Sequence, residues 1–133
     1  MKLLAFSDLH RDLSQAATLV EMSGEADLVI GAGDFASVHE GLEETIAALA
    51  AIETPTVLVP GNNETDEALR EACADWSAAT ILHGGGASIR GVEFFGLGAG
   101  EAAALLAALA PAPVRPPGRA GPAAGRERIG SRR

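Results

Sequence analysis

Lys2-Leu3-Leu4-Ala5-Phe6-Ser7-Asp8-Leu9-His10 decides how the rest of the chain is read. Lys2–Phe6 is a largely apolar run that reads as a strand covered on both faces. Asp8 and His10 stand two apart just beyond it. If strand geometry persists through them, both side chains point to one face. A carboxylate and an imidazole side by side at a strand end make a two-ligand start to a metal site. An ordinary polar turn after a strand is the competing reading of the pair taken alone.

Downstream, the period changes. Leu13, Ala16, Ala17 and Val20 fall on one helical face, with Asp12 as N-cap and Gly24 as stop. Ala26–Ile30 is a second apolar strand, and it runs into Gly31-Ala32-Gly33-Asp34. A helix is predicted over Val38–Ile52, with Leu42, Ile46 and Leu49 on one face and Pro55 barring its extension. Thr56–Val59 is a third strand, ending in Pro60-Gly61-Asn62-Asn63-Glu64. A third helix spans Thr65–Cys73, with Asp66 and Glu67 at the positive end of its dipole. Strand and helix alternating three times predict a parallel sheet with its site at the carboxyl ends of the strands. Asp8 and His10, Asp34, and Asn62 with Asn63 all sit at such ends. Three independent strand ends offering metal ligands to one crevice favour the metal reading.

After the third helix, Thr80–His83, Ala87–Ile89 and Val92–Gly96 read as short consecutive antiparallel strands, the last two joined by a tight Arg90-Gly91 turn. They predict a second sheet or an antiparallel edge. Gly96–Gly100 reads as a flexible loop and Glu101–Leu109 as a short Ala/Leu-rich helix. Residues 111–133 hold five prolines, four glycines and six arginines without a period, and are expected to be disordered.

Composition narrows the function classes. Aromatic content of 4% leaves the core to Ala, Leu, Val and Ile, and 133 residues allow one domain. We place that domain at residues 1–110 and the tail at 111–133. A single cysteine, Cys73, excludes an intrachain disulfide and fits a reducing compartment. The opening apolar run is too short for a signal peptide and nothing approaches a membrane span, so a cytoplasmic protein without membrane contact is expected. Residues 1–110 carry four basic side chains against 17 acidic ones, a net of −13; residues 111–133 carry six arginines against Glu127, a net of +5. An acidic body argues against nucleic-acid binding and suits carboxylates that gather cations.

Asp8-Leu9-His10, Gly33-Asp34 and Gly61-Asn62-Asn63-Glu64, in this order and at strand ends, resemble the opening motifs of the calcineurin-like metallophosphoesterase family. The resemblance covers about residues 1–100, and His83-Gly84 through Phe94-Phe95-Gly96-Leu97-Gly98 is similar to the family's middle region. It implies an α/β fold, the αββα sandwich of two sheets, here incomplete at the second sheet. It implies hydrolysis of phosphomonoesters or phosphodiesters, with a small-molecule phosphate ester as partner and two divalent metal ions, manganese, iron or zinc, as cofactors. By the same resemblance Asp8 and His10 bind the first metal, Asp34 bridges both, and Asn62 binds the second. Two such cations clamp a phosphate and acidify a water between them, a bridging ligand needs two oxygens, and mixed nitrogen and oxygen donors suit these metals better than calcium.

Two departures from the family pattern stand out. Asn63 occupies the position of a histidine that assists near the leaving group. As the candidate catalytic residue it can donate a hydrogen bond to phosphate but supplies no proton at neutral pH. The family completes its metal site with later histidines, and no histidine follows His83 here. The switch to a Pro/Gly/Arg/Ala tail is the composition expected of a reading-frame change or an early end in the gene, which the downstream DNA would show. The alternative function is accordingly a catalytically inactive remnant that binds metal or phosphate weakly or serves in protein interaction. An uncovered second sheet predicts marginal stability or a homo-oligomer. Of the remaining residues, His39 reads as a surface or capping group and His83 as structural. The glycine runs read as close-approach turns rather than phosphate loops, Cys73 as buried and inert, and Trp76 as packing between the third helix and the next strand.

Overall fold

The computed structural model describes residues 1–99. The helix expected at Glu101–Leu109, the tail at 111–133 and the boundary between domain and tail lie outside the described residues.

Four strands form one parallel sheet in the order β1 (Leu3–Phe6), β2 (Leu28–Gly31), β3 (Thr56–Leu58) and β4 (Ala79–Ile81). Between them run α1 (Leu13–Ser23), α2 (Leu42–Leu49) and α3 (Asp66–Ala72). A hairpin of β5 (Gly85–Ile89) and β6 (Val92–Gly96) makes a second, antiparallel sheet.

Alternation along the strands divides the core. Val29 and Leu58 face the helices and pack with Ala16, Ile46, Leu49 and Leu69. Leu28 and Val57 face the other way, join Leu82, and are covered by Ala87, Ile89 and Phe94 of the hairpin. All three helices share the first cluster, as successive right-handed crossovers require when each strand is laid beside the last. The described residues therefore stack helices, sheet and hairpin in three layers, the arrangement expected from the α/β reading. Burial of each large aliphatic side chain here contributes roughly 1.5–3 kcal/mol. No helix among the described residues is long and apolar enough to cross a membrane.

The local start and stop signals hold. Asp12 caps α1, its Oδ1 accepting the Gln15 N–H at 3.0 Å, and Gly24 closes it. Thr65 caps α3 through Ala68 N–H at 3.1 Å. Trp76 is buried between α3 and β4 and donates its indole N–H to Ile52 O at 2.9 Å.

Three expectations are corrected. The segment before β5 does not open the antiparallel sheet: β4 pairs in parallel with β3 and completes a fourth strand of the first sheet, because α3 supplies a full crossover. Helix α2 begins at Leu42 rather than Val38. Val38, His39 and Gly41 all have left-handed backbone, which no helix accommodates. The Gly96–Gly98 segment is held rather than loose: Gly96 ends β6, Gly98 N–H donates to His83 Nδ1 at 3.0 Å, and Ala99 N–H donates to Pro60 O at 3.1 Å.

Candidate metal centre

Strand geometry does not carry Asp8 and His10 to a common side, contrary to the sequence argument. Strand β1 stops at Phe6, and Asp8, His10 and Arg11 have φ of 58°, 44° and 67°. What continues past the strand is its pairing with the chain after β2. Ala32 N–H donates to Phe6 O at 2.8 Å, Asp8 N–H to Gly33 O at 3.1 Å, His10 N–H to Asp34 O at 3.0 Å, and Arg11 N–H to Phe35 O at 3.0 Å. Leu9, between the two polar residues, is buried in the helix-side core. The loop is thus pinned by one leucine and four backbone bonds, and its turn brings the flanking side chains together.

Asp8, His10 and Asp34 each present a ligand atom, and these atoms lie within 4.8 Å of one another. They form a group able to hold a metal ion, exposed at Asp8 and His10 and half-buried at Asp34. His10 Nδ1 is 3.2 Å from Ala36 O. A carbonyl only accepts, so Nδ1 carries a proton, and Nε2 faces inward, 3.4 Å from Asp8 Oδ1. This nitrogen and the carboxylate repel unless a proton or cation lies between them. The Asn62 side-chain nitrogen donates to both oxygens of Asp34, at 3.0 and 3.1 Å, and its amide oxygen reaches a cation there on rotation of the group. Two carboxylates, an inward-facing imidazole nitrogen and an amide fit a divalent ion.

Asp34 is the hub. Its Oδ1 accepts the N–H of Asn62 at 3.0 Å, the N–H of Asn63 at 3.1 Å and the Asn63 side-chain N–H at 3.0 Å. Burial alone would raise its carboxyl. The Asn63 amide, the two backbone N–H groups and the charge of His10 together outweigh that and hold it below the ordinary carboxylate value of 3.8. The Asn63 side chain is engaged at both ends, since its Oδ1 also accepts Val38 N–H at 2.9 Å. Close approach of the two loops explains their glycines. A Cβ on Gly61 would collide with the Asp34 carboxylate, and one on Gly33, whose φ is +90°, would meet Gly61 N at 2.6 Å.

Asp8, His10, Asp34 and Asn62 are therefore brought together, and Asn63 lies behind Asp34. Sequence reasoning missed the use of Glu64. This acid is buried, and its carboxylate accepts Asp34 N–H at 2.7 Å, Gly61 N–H at 2.8 Å and Ala36 N–H at 3.1 Å. Its place directly after the Asn62-Asn63 pair was the available signal. His39 and His83 both line a groove of about 270 Å³ beside Asn62, nearer the site than expected. The Gly98 bond to His83 Nδ1 gives that ring the structural part foreseen for it.

The family model described as a calcineurin-like phosphoesterase superfamily domain matches residues 1–97. No curated protein matches the chain. Among solved structures, TT1561 of Thermus thermophilus aligns with a TM-score of 0.63 at 18% identity, over 73% of this chain and 48% of that one. A second crystal structure aligns with a TM-score of 0.60 at 20% identity, over 73% of this chain and 52% of the other. These likenesses establish the fold, and the chain spans about half the length of the structures it matches.

Proposed function

The chain belongs to the calcineurin-like phosphoesterase superfamily, and from that membership we propose that it is a metal-dependent hydrolase of small-molecule phosphomonoesters or phosphodiesters. The convergence of Asp8, His10 and Asp34 within 4.8 Å carries this reading. We assign Asp8 and His10 to one divalent ion, Asp34 to both ions of a pair, and Asn62 to the second. The mixture of nitrogen and oxygen donors suits manganese, iron or zinc. Bound ions of this kind supply Lewis acidity to the phosphate and acidify a water.

The chain's own residues prepare the site. Ala36 O fixes the His10 tautomer. The N–H groups around Asp34 Oδ1 keep that carboxylate ionised and oriented. Asn63 contacts phosphate by turning its amide from Val38 or Asp34, and it transfers no proton. Esters with good leaving groups are therefore the expected substrates, since departure of an alkoxide needs a proton donor. Engagement of the Asn63 amide at both ends favours a second reading, binding without turnover.

The test is calorimetric manganese binding together with manganese-dependent hydrolysis of an activated aryl phosphodiester. Asp34→Ala is expected to abolish both. Hydrolysis that persists in Asp34→Ala overturns the proposal, whereas binding without hydrolysis in the unaltered chain selects the second reading.

A further inference from the structure

Glu64 is an acid that the assignment above leaves without a part. It is 5% exposed, and its three hydrogen bonds all come from backbone N–H groups of the loops that carry the site. Oε1 accepts from Asp34 and Gly61, tying the loop after β2 to the loop after β3. Oε2 accepts from Ala36, whose carbonyl in turn meets His10 Nδ1. One carboxylate therefore reaches the backbone of Asp34 directly and the ring of His10 through a single intervening residue, Ala36. Asp34 has a φ of 59°, a left-handed conformation that a non-glycine residue keeps only where its surroundings impose it. The bond to the Asp34 N–H is the shortest of the three, at 2.7 Å.

We propose that Glu64 is a positioning residue for the metal centre: its carboxylate sets Asp34 and His10 in the geometry in which they present their ligand atoms to a cation. Groups that orient metal ligands from behind govern affinity without touching the ion. A general staple between two loops would govern folding alone. The proposal rests on the metal reading above.

The distinction is experimental. Glu64→Gln keeps the size of the side chain but sets an NH₂ group against backbone donors; Glu64→Asp keeps the charge but shortens the reach. Leu69→Ala, a core truncation in α3 that removes none of these carboxylate bonds, is the control for lost stability. Manganese affinity is measured by calorimetry, and folding by the Trp76 emission and thermal melting. Glu64→Gln is expected to weaken manganese about 10–100-fold while still folding, Glu64→Asp less so, and Leu69→Ala to lower the melting temperature with affinity kept within about twofold. Affinity in Glu64→Gln within about twofold of the unaltered chain overturns the positioning role, as does a loss that Leu69→Ala reproduces. Failure of both Glu64 variants to fold marks a general staple and overturns it too. An unaltered chain that binds no manganese overturns the metal reading itself, a result distinct from the others.

Discussion

Asp34 gathers three hydrogen bonds on one oxygen and turns the other toward Asn62, and it does so because Gly61 has no side chain to stand in the way. Gly61→Ala should therefore push the Asp34 carboxylate off its position and weaken manganese by at least about tenfold, close to 1.4 kcal/mol in binding, as a calorimetric titration would show. Unchanged affinity would mean that the two loops yield more readily than their contacts suggest. At this scale the candidate ligands could be picked out because of their chemistry: Asp8, His10, Asp34 and Asn62 are polar residues at the ends of apolar strands. Their geometry was less legible. Left-handed backbone at Asp8, His10 and Asp34 leaves no mark in residue type, and the partners of Glu64 are peptide N–H groups that any sequence provides.

Elements were read best where caps and periodicity agree. Asp12 and the buried row Leu42, Ile46 and Leu49 stand as expected, while Thr65, read as the first residue of the third helix, is its cap. Thr65→Ala removes the acceptor for Ala68 N–H and should destabilise the protein by about 1 kcal/mol, readable in a urea titration followed by Trp76 fluorescence. The start of α2 was misplaced because Val38–Gly41 belongs to the site: Val38 and His39 are bonded to Asn63 rather than into a helix. Strand β4 was misjudged because its pairing depends on where α3 returns the chain, which local pattern does not encode. Cys73, at the end of α3, offers a test of core burial. Burial pushes its thiol up from 9.0 to about 11. The folded state thus holds the proton more tightly than the unfolded state. This stabilisation is complete below pH 9 and is lost as pH rises through 9 toward 11, on the order of 2 kcal/mol in all. With no tyrosine and a single lysine in the chain, few other groups titrate in that window. Cys73→Ala should flatten the alkaline fall in stability, and a fall of equal steepness in that variant would contradict the assignment.

Among the described residues the helices lie on one side of the main sheet and the hairpin on the other. Leu3, in register with Leu28, is half exposed, and Phe95 on the outer face of β6 is 70% exposed. Copies that associate through the hairpin would sediment in a concentration-dependent way, and Phe95→Ser should return the chain to a monomer; concentration-independent sedimentation of the unaltered protein would contradict that. The order of the main sheet has a different consequence, for synthesis. Each strand is laid beside the one made just before it, and the proposed ligands Asp8, His10 and Asp34, with the Glu64 that ties their loops, fall between residues 8 and 64. A chain emerging from the ribosome would carry the proposed ligands Asp8, His10 and Asp34 before β4 and the hairpin exist. A divalent cation held by them would then act as a brace on the growing chain, drawing folding forward by mass action.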